Sequence, residues 1–192
     1  MIAILKYSIQ NKQEFSEIFE KLNLDYTFTL DEAIIIKASH LILPDTYNLN
    51  KSIRKMQLMN LYSVLRMIKK PILGINNGFN LMCNNLSDIQ KLGLGLFPID
   101  SKTCSINDEE NNNIGKINVL KKTNILEQIN TKKVTCNLDR QIDVNDYTTS
   151  VISNNNQDYS LTCENGNYYS IQMEISKNKE LFEKLIENFT NL

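Results

Sequence analysis

Pro71-Ile-Leu-Gly-Ile-Asn-Asn-Gly-Phe-Asn-Leu-Met82 decides how this chain is read. Ile72–Ile75 is a short apolar run, the signature of a buried parallel strand. The polar, glycine-containing break that follows reads as a tight turn, and Phe79, Leu81 and Met82 open a helix. Strand, sharp turn and helix form the layout that exposes a nucleophile at the end of a parallel strand. Here the turn presents Asn76, whose carboxamide does not attack a carbonyl as a thiolate does.

On either side of this segment, strands and helices alternate. Ile2–Leu5 is an apolar run, Phe15, Ile18, Phe19 and Leu22 fall on one helical face, and Asp25–Thr29 is rich in strand formers. Leu41–Leu43 reads as a third strand, ended by Pro44, and Ile53, Met56, Leu61, Leu65 and Ile68 predict one long helix. The segments Lys116–Val119, Val134–Leu138, Tyr147–Ile152 and Tyr159–Cys163 are strand-like with little helix between them. An Asn-Gly turn is expected within Glu164–Asn167, and Leu181, Phe182, Leu185, Ile186 and Phe189 mark a closing helix. Asp108–Asn113 reads as a polar loop. This order predicts an α/β three-layer sandwich, with a mainly parallel sheet extended by antiparallel strands.

Composition narrows the function classes. The chain has 192 residues, of which 42% are apolar, enough to bury a core without metals or disulfides. A formal charge of -1 and scattered lysine pairs argue against a nucleic-acid face. No apolar run approaches a membrane span, and no signal-peptide pattern opens the chain. Cys83, Cys104, Cys136 and Cys163 lack metal-ligand spacing and lie on or beside apolar segments, so reduced thiols, a cytoplasmic location and no metal or cofactor are expected. Asparagine occurs 27 times but is spread along the chain rather than gathered in a low-complexity tract.

Five segments, in order, resemble class I glutamine amidotransferases, and among them the glutaminase subunits of imidazole glycerol phosphate synthase. They are Met1–Leu5, Leu41–Pro44, Pro71–Gly78, Leu92–Pro98 with its Gly-Leu-Gly-Leu core, and Gly166–Gln172. The resemblance implies a flavodoxin-like fold and a single glutamine amidotransferase-like domain over residues 1–192. It also implies a Cys-His-Glu triad, whose positions here read Asn76, Glu174 and Ser176. The family's glycine-rich oxyanion loop matches Asp45, Thr46 and Tyr47, and Asn77, Gly78 and Asn80 complete the former pocket. Asp45 opposes a developing negative charge, and the side chains of Thr46 and Tyr47 resist the backbone rotation such a loop needs.

No other residue rebuilds the chemistry. Cys83 lies further along the helix after the turn. His40, the single histidine, begins the third strand, about 13 Å from the end where the turn sits. The resemblance therefore implies a catalytically silent relative acting in histidine biosynthesis through protein contacts. Its expected partner is a (β/α)8-barrel cyclase-like synthase subunit or a second copy of itself. The alternative is a repurposed pocket binding a small molecule or metal, or performing new chemistry, with Glu174 and Asp45 as a carboxylate pair.

Overall fold

The computed structural model describes residues 1–103, 112–129, 133–137, 140–154 and 157–192. The first half lays down β1 (Ile2–Leu5), α1 (Lys12–Lys21), β2 (Tyr26–Thr29), α2 (Glu32–Lys37), β3 (His40–Leu43), α3 (Leu49–Leu58), α4 (Leu61–Met67), β4 (Ile72–Ile75) and α5 (Asn77–Met82). Short strands follow: β5 (Asn85–Leu86), β6 (Lys91–Leu92) and β7 (Asp100–Thr103). The second half supplies β8 (Asn112–Val119), β9 (Lys133–Asn137), β10 (Arg140–Gln141), β11 (Thr148–Asn154), β12 (Gln157–Asn165), β13 (Tyr168–Ile171) and α6 (Lys179–Thr190).

Among the described residues the main sheet has nine strands, ordered β2-β1-β3-β4-β13-β12-β11-β8-β9. It is parallel from β2 to β13 and antiparallel from there to β9. Both faces are covered, which is why β1 and β4 are buried at every residue instead of alternating. One face packs α3 and α4 through Ile53, Met56, Leu61 and Leu65; the other packs α1 and α6 through Phe15, Phe19, Phe182 and Phe189. Phe15 meets Phe182 edge to face with ring centres 5.5 Å apart. Each fully buried side chain of this size contributes roughly 1.5–3 kcal/mol. No helix among the described residues is long and apolar enough to cross a membrane.

Two local expectations change and two elements are additional. The long helix is two, because Asn60 takes a φ of 54° between α3 and α4. The hairpin forms one residue later than the Asn-Gly reading: Asn165 pairs with Tyr168, so the loop is Gly166-Asn167, with Gly166 at φ 59° in the first central position. Helix α2 was not legible; it is capped by Asp31, whose side chain accepts from the backbone N–H groups of Ala33 and Ile34. A small second sheet, β10-β7-β5-β6, also appears. Cys104 and residues 108–111 of the expected polar loop lie outside the described residues, while Asn112 and Asn113 belong to β8.

Register positions the site. Leu43 pairs with Gly74, and Gly74 and Ile75 pair with Ser170 and Ile171. The carboxyl ends of β3, β4 and β13 are therefore level, and the residues that follow each strand meet. Helix α5 can start this close to β3 because a Cβ on Gly78 would collide with the Leu43 carbonyl oxygen.

Candidate functional site

Asn76 joins β4 to α5 with φ 48° and ψ -112°. Residues with a side chain rarely adopt this backbone, which costs of the order of 1–3 kcal/mol unless its surroundings enforce it. Here they do. The Asn76 Nδ2 donates to the Met173 carbonyl at 2.9 Å, and the Met173 backbone N–H donates to Asn76 Oδ1 at 2.8 Å. The Asn76 backbone N–H donates to the Ile171 carbonyl at 2.9 Å. A side chain thus continues the pairing that the ladder between β4 and β13 begins.

The second clamp is Asp45. Its Oδ1 accepts from the backbone N–H of Thr46 at 2.8 Å and of Asn77 at 3.2 Å. Its Oδ2 accepts from Asn76 Nδ2 at 3.1 Å. With the Gln10 amide turned to satisfy both its ends, Gln10 Nε2 also donates to Oδ2 at 3.3 Å, and its oxygen accepts from the Tyr47 N–H. Burial pushes the Asp45 carboxyl above its ordinary range, outweighing the hydrogen bonds from Thr46, Asn76 and Asn77 that act in the opposite sense. The phenol of Tyr7 donates to the Pro44 carbonyl at 2.6 Å and ties the end of β1 to this loop.

These bonds form one network. Asn77 Nδ2 donates to the Thr46 carbonyl, Asn80 Nδ2 donates to Asn77 Oδ1, and Ser101 Oγ donates to the buried Asn80 Oδ1. The Thr46 hydroxyl is buried against Ser52 at 2.6 Å. Of the residues singled out in sequence, Asp45, Thr46, Asn76, Asn77, Gly78 and Asn80 come together here. Tyr47 joins only through its backbone N–H, and the residue is 76% exposed.

Glu174 and Ser176 make a different cluster. Glu174 pairs with Lys177 at 3.1 Å and accepts from Ser176 Oγ at 3.2 Å. Among the described contacts, Glu174 and Asp45 share no partner. His40 sits at the opposite end of β3, its Nδ1 against Ser39 Oγ and its ring against Phe189, and burial lowers its pKa. The side chains of Cys83, Cys136 and Cys163 are buried. No three His, Cys, Asp or Glu side chains among the described residues are grouped to hold a metal ion.

Sequence reasoning missed Met173, Gln10 and Ser101. Met173 acts through its backbone, which carries no side-chain signal, and Gln10 lies in an unpatterned loop. Chemically, the arrangement offers two converging backbone N–H groups, as an oxyanion site would. A carboxylate of the same chain already fills them.

A mainly parallel sheet covered on both faces, with a strained turn at the end of a central strand, defines a flavodoxin-like α/β protein of the glutamine amidotransferase type. The chain is a relative of the class I glutamine amidotransferases. Imidazole glycerol phosphate synthase subunit HisH of Bacteroides thetaiotaomicron is 21% identical over 199 residues, covering 100% of this chain and 99% of the relative. Imidazole glycerol phosphate synthase subunit HisH 2 of Methanococcus maripaludis is 31% identical over 107 residues, 54% of this chain and 52% of the relative. A crystal structure of a glutamine amidotransferase superposes with a TM-score of 0.78 at 8% identity, covering 99% of this chain and 97% of the other. No family model matches.

Proposed function

We propose that this chain, read as one domain over residues 1–192, is a catalytically silent glutamine amidotransferase relative. It acts as a partner-binding or regulatory subunit of a (β/α)8-barrel synthase of histidine biosynthesis. The observation that carries the silence is Asp45 Oδ1 accepting from the N–H groups of Thr46 and Asn77. Glutamine hydrolysis needs such donors free for the oxygen of a tetrahedral intermediate. Asp45 supplies a negative charge to them in the resting state and would repel that oxygen. The elbow residue is an amide, and the position read as the former base is a glutamate held by Lys177.

A docking role asks less of these residues. It requires an ordered face at the carboxyl ends of the strands, and the network from Gln10 to Ser101 provides one. The decisive experiment is co-expression with a barrel cyclase from the same source, followed by copurification and an ammonia assay with glutamine. Stoichiometric copurification without ammonia release is the expected outcome. Ammonia release that disappears on changing Asn76 would overturn the silence, and recovery of the chain without a barrel would overturn the docking role.

A further inference from the structure

We propose that Asn76 is a site of self-cyclisation, in which the backbone nitrogen of Asn77 attacks the Asn76 side-chain carbonyl with Asp45 as the proton acceptor. The product is a succinimide, and ammonia is released.

The backbone angle carries the first part. About the Cα–C bond of an L residue, Cβ is offset from N by about 120°, so a planar five-membered imide needs ψ near about -120°. Helical residues sit at about -42° and antiparallel strands at about +135°, far from that value, which keeps the ring from closing. At Asn76 ψ is -112°, so Cβ nearly eclipses the Asn77 nitrogen. Rotation about Cα–Cβ, which breaks the two bonds to the Met173 backbone, is the torsion left to bring Cγ over that nitrogen.

Asp45 carries the second. The Asn77 N–H heads a helix and has no intrahelical partner; it points at Asp45 Oδ1, 3.2 Å away. The departing Nδ2 lies 3.1 Å from Oδ2 of the same carboxylate. In the resting side chain, attacking and leaving nitrogens therefore face one base, whose basicity is raised by burial. The step balances without a redox partner. The Asn77 N–Cγ bond forms and the Cγ–Nδ2 bond breaks. The proton leaving the Asn77 nitrogen passes through Asp45 to Nδ2, which departs as ammonia. Water then opens the imide to aspartate or isoaspartate at that position. Cyclisation depends on the turn geometry and on Asp45, and is independent of whether the chain hydrolyses glutamine.

Asn77-Gly78 and Asn165-Gly166 in the same chain serve as internal controls. In an unfolded chain they cyclise ahead of Asn76-Asn77, because glycine places no side chain beside the attacking nitrogen. The experiment ages the native full chain at neutral pH beside a sample in urea. Peptide mass spectrometry and isoaspartyl methyltransferase labelling then follow each asparagine. The expected result is that Asn76 converts first in the native chain and that the order reverses in urea. Conversion of Asn77 or Asn165 ahead of Asn76 in the native chain, or no conversion of Asn76, overturns the proposal. Asp45→Asn, checked for native circular dichroism, is expected to slow Asn76 roughly a hundredfold, the low end for a positioned base. An unchanged rate in a folded variant overturns the role of Asp45.

Discussion

Asn76 and Met173 stand 97 residues apart in sequence and hydrogen bond in both directions, side-chain amide to backbone amide, at 2.9 and 2.8 Å. This reciprocal pair holds the turn after β4 against the end of β13 and enforces the unusual backbone of Asn76. The same residue is bonded by Asp45, so the two clamps act on one side chain.

Replacing Asn76 should therefore cost stability twice. Asn76→Ala leaves the Met173 N–H and carbonyl without their partner and keeps a side chain at positive φ, a loss of about 2–4 kcal/mol. Asn76→Gly loses the same bonds but relieves the backbone, so its loss is smaller. Urea unfolding of the three proteins measures the ranking. An alanine variant as stable as the wild type would show that the pair contributes nothing.

Asp45 governs a pH-dependent contribution whose sign follows from its burial. Its folded-state pKa lies above the ordinary 3.8, so the folded protein holds this proton more tightly than the unfolded chain. The corresponding stability is fully present below the unfolded value and is lost as pH rises through the folded value. Relative to Asp45→Asn, the wild type should lose stability as pH rises from 3.8 and then level off. Paired denaturation curves across that range test it; a wild type gaining on the variant would reverse the assignment.

Restoring a nucleophile and base should not by itself restore chemistry. Asn76→Cys with Glu174→His still leaves Asp45 on the Thr46 and Asn77 donors. Adding Asp45→Gly frees them, and each oxyanion donor contributes about 10²–10³ in rate. Ammonia release in the triple variant should exceed that of the double variant by about a hundredfold or more. Equal rates in the two variants would show that the carboxylate does not block the site.

The buried thiols should be inert in the native chain. Burial pushes Cys136 up to about 12 and Cys163 up to about 11, so neither supplies thiolate at neutral pH. Peptide mapping after brief alkylation should find both unmodified in the folded protein and modified in urea. Rapid native labelling of either would contradict its burial.

Much of the fold was legible because buried parallel strands leave apolar runs, as at Ile2–Leu5 and Ile72–Ile75. The break between α3 and α4 was missed, although the apolar spacing slips by five residues from Met56 to Leu61, where Asn60 takes positive φ. Two-residue strands such as Asn85–Leu86 are too short to show any period. Around the site, Asp45, Asn76, Asn77 and Asn80 were readable as departures from a glycine-rich, cysteine-bearing pattern. The partners of Asn76 were not, because Met173 binds through its backbone and Gln10 lies in an unpatterned loop. The local ion pair that Glu174 makes with Lys177 was not readable either, because neither residue belongs to a pattern.

By itself the sequence determined that strands and helices alternate, that the elbow carries an amide, and that the single histidine begins the third strand. These are properties of local pattern and residue identity. Only the tertiary structure decided what surrounds the amide. The levelled ends of β3, β4 and β13 bring Asp45 and Met173 to Asn76, and strand register is a long-range property that no local pattern encodes. The physical result is a strained turn whose two converging backbone N–H donors are filled by a carboxylate of the chain itself.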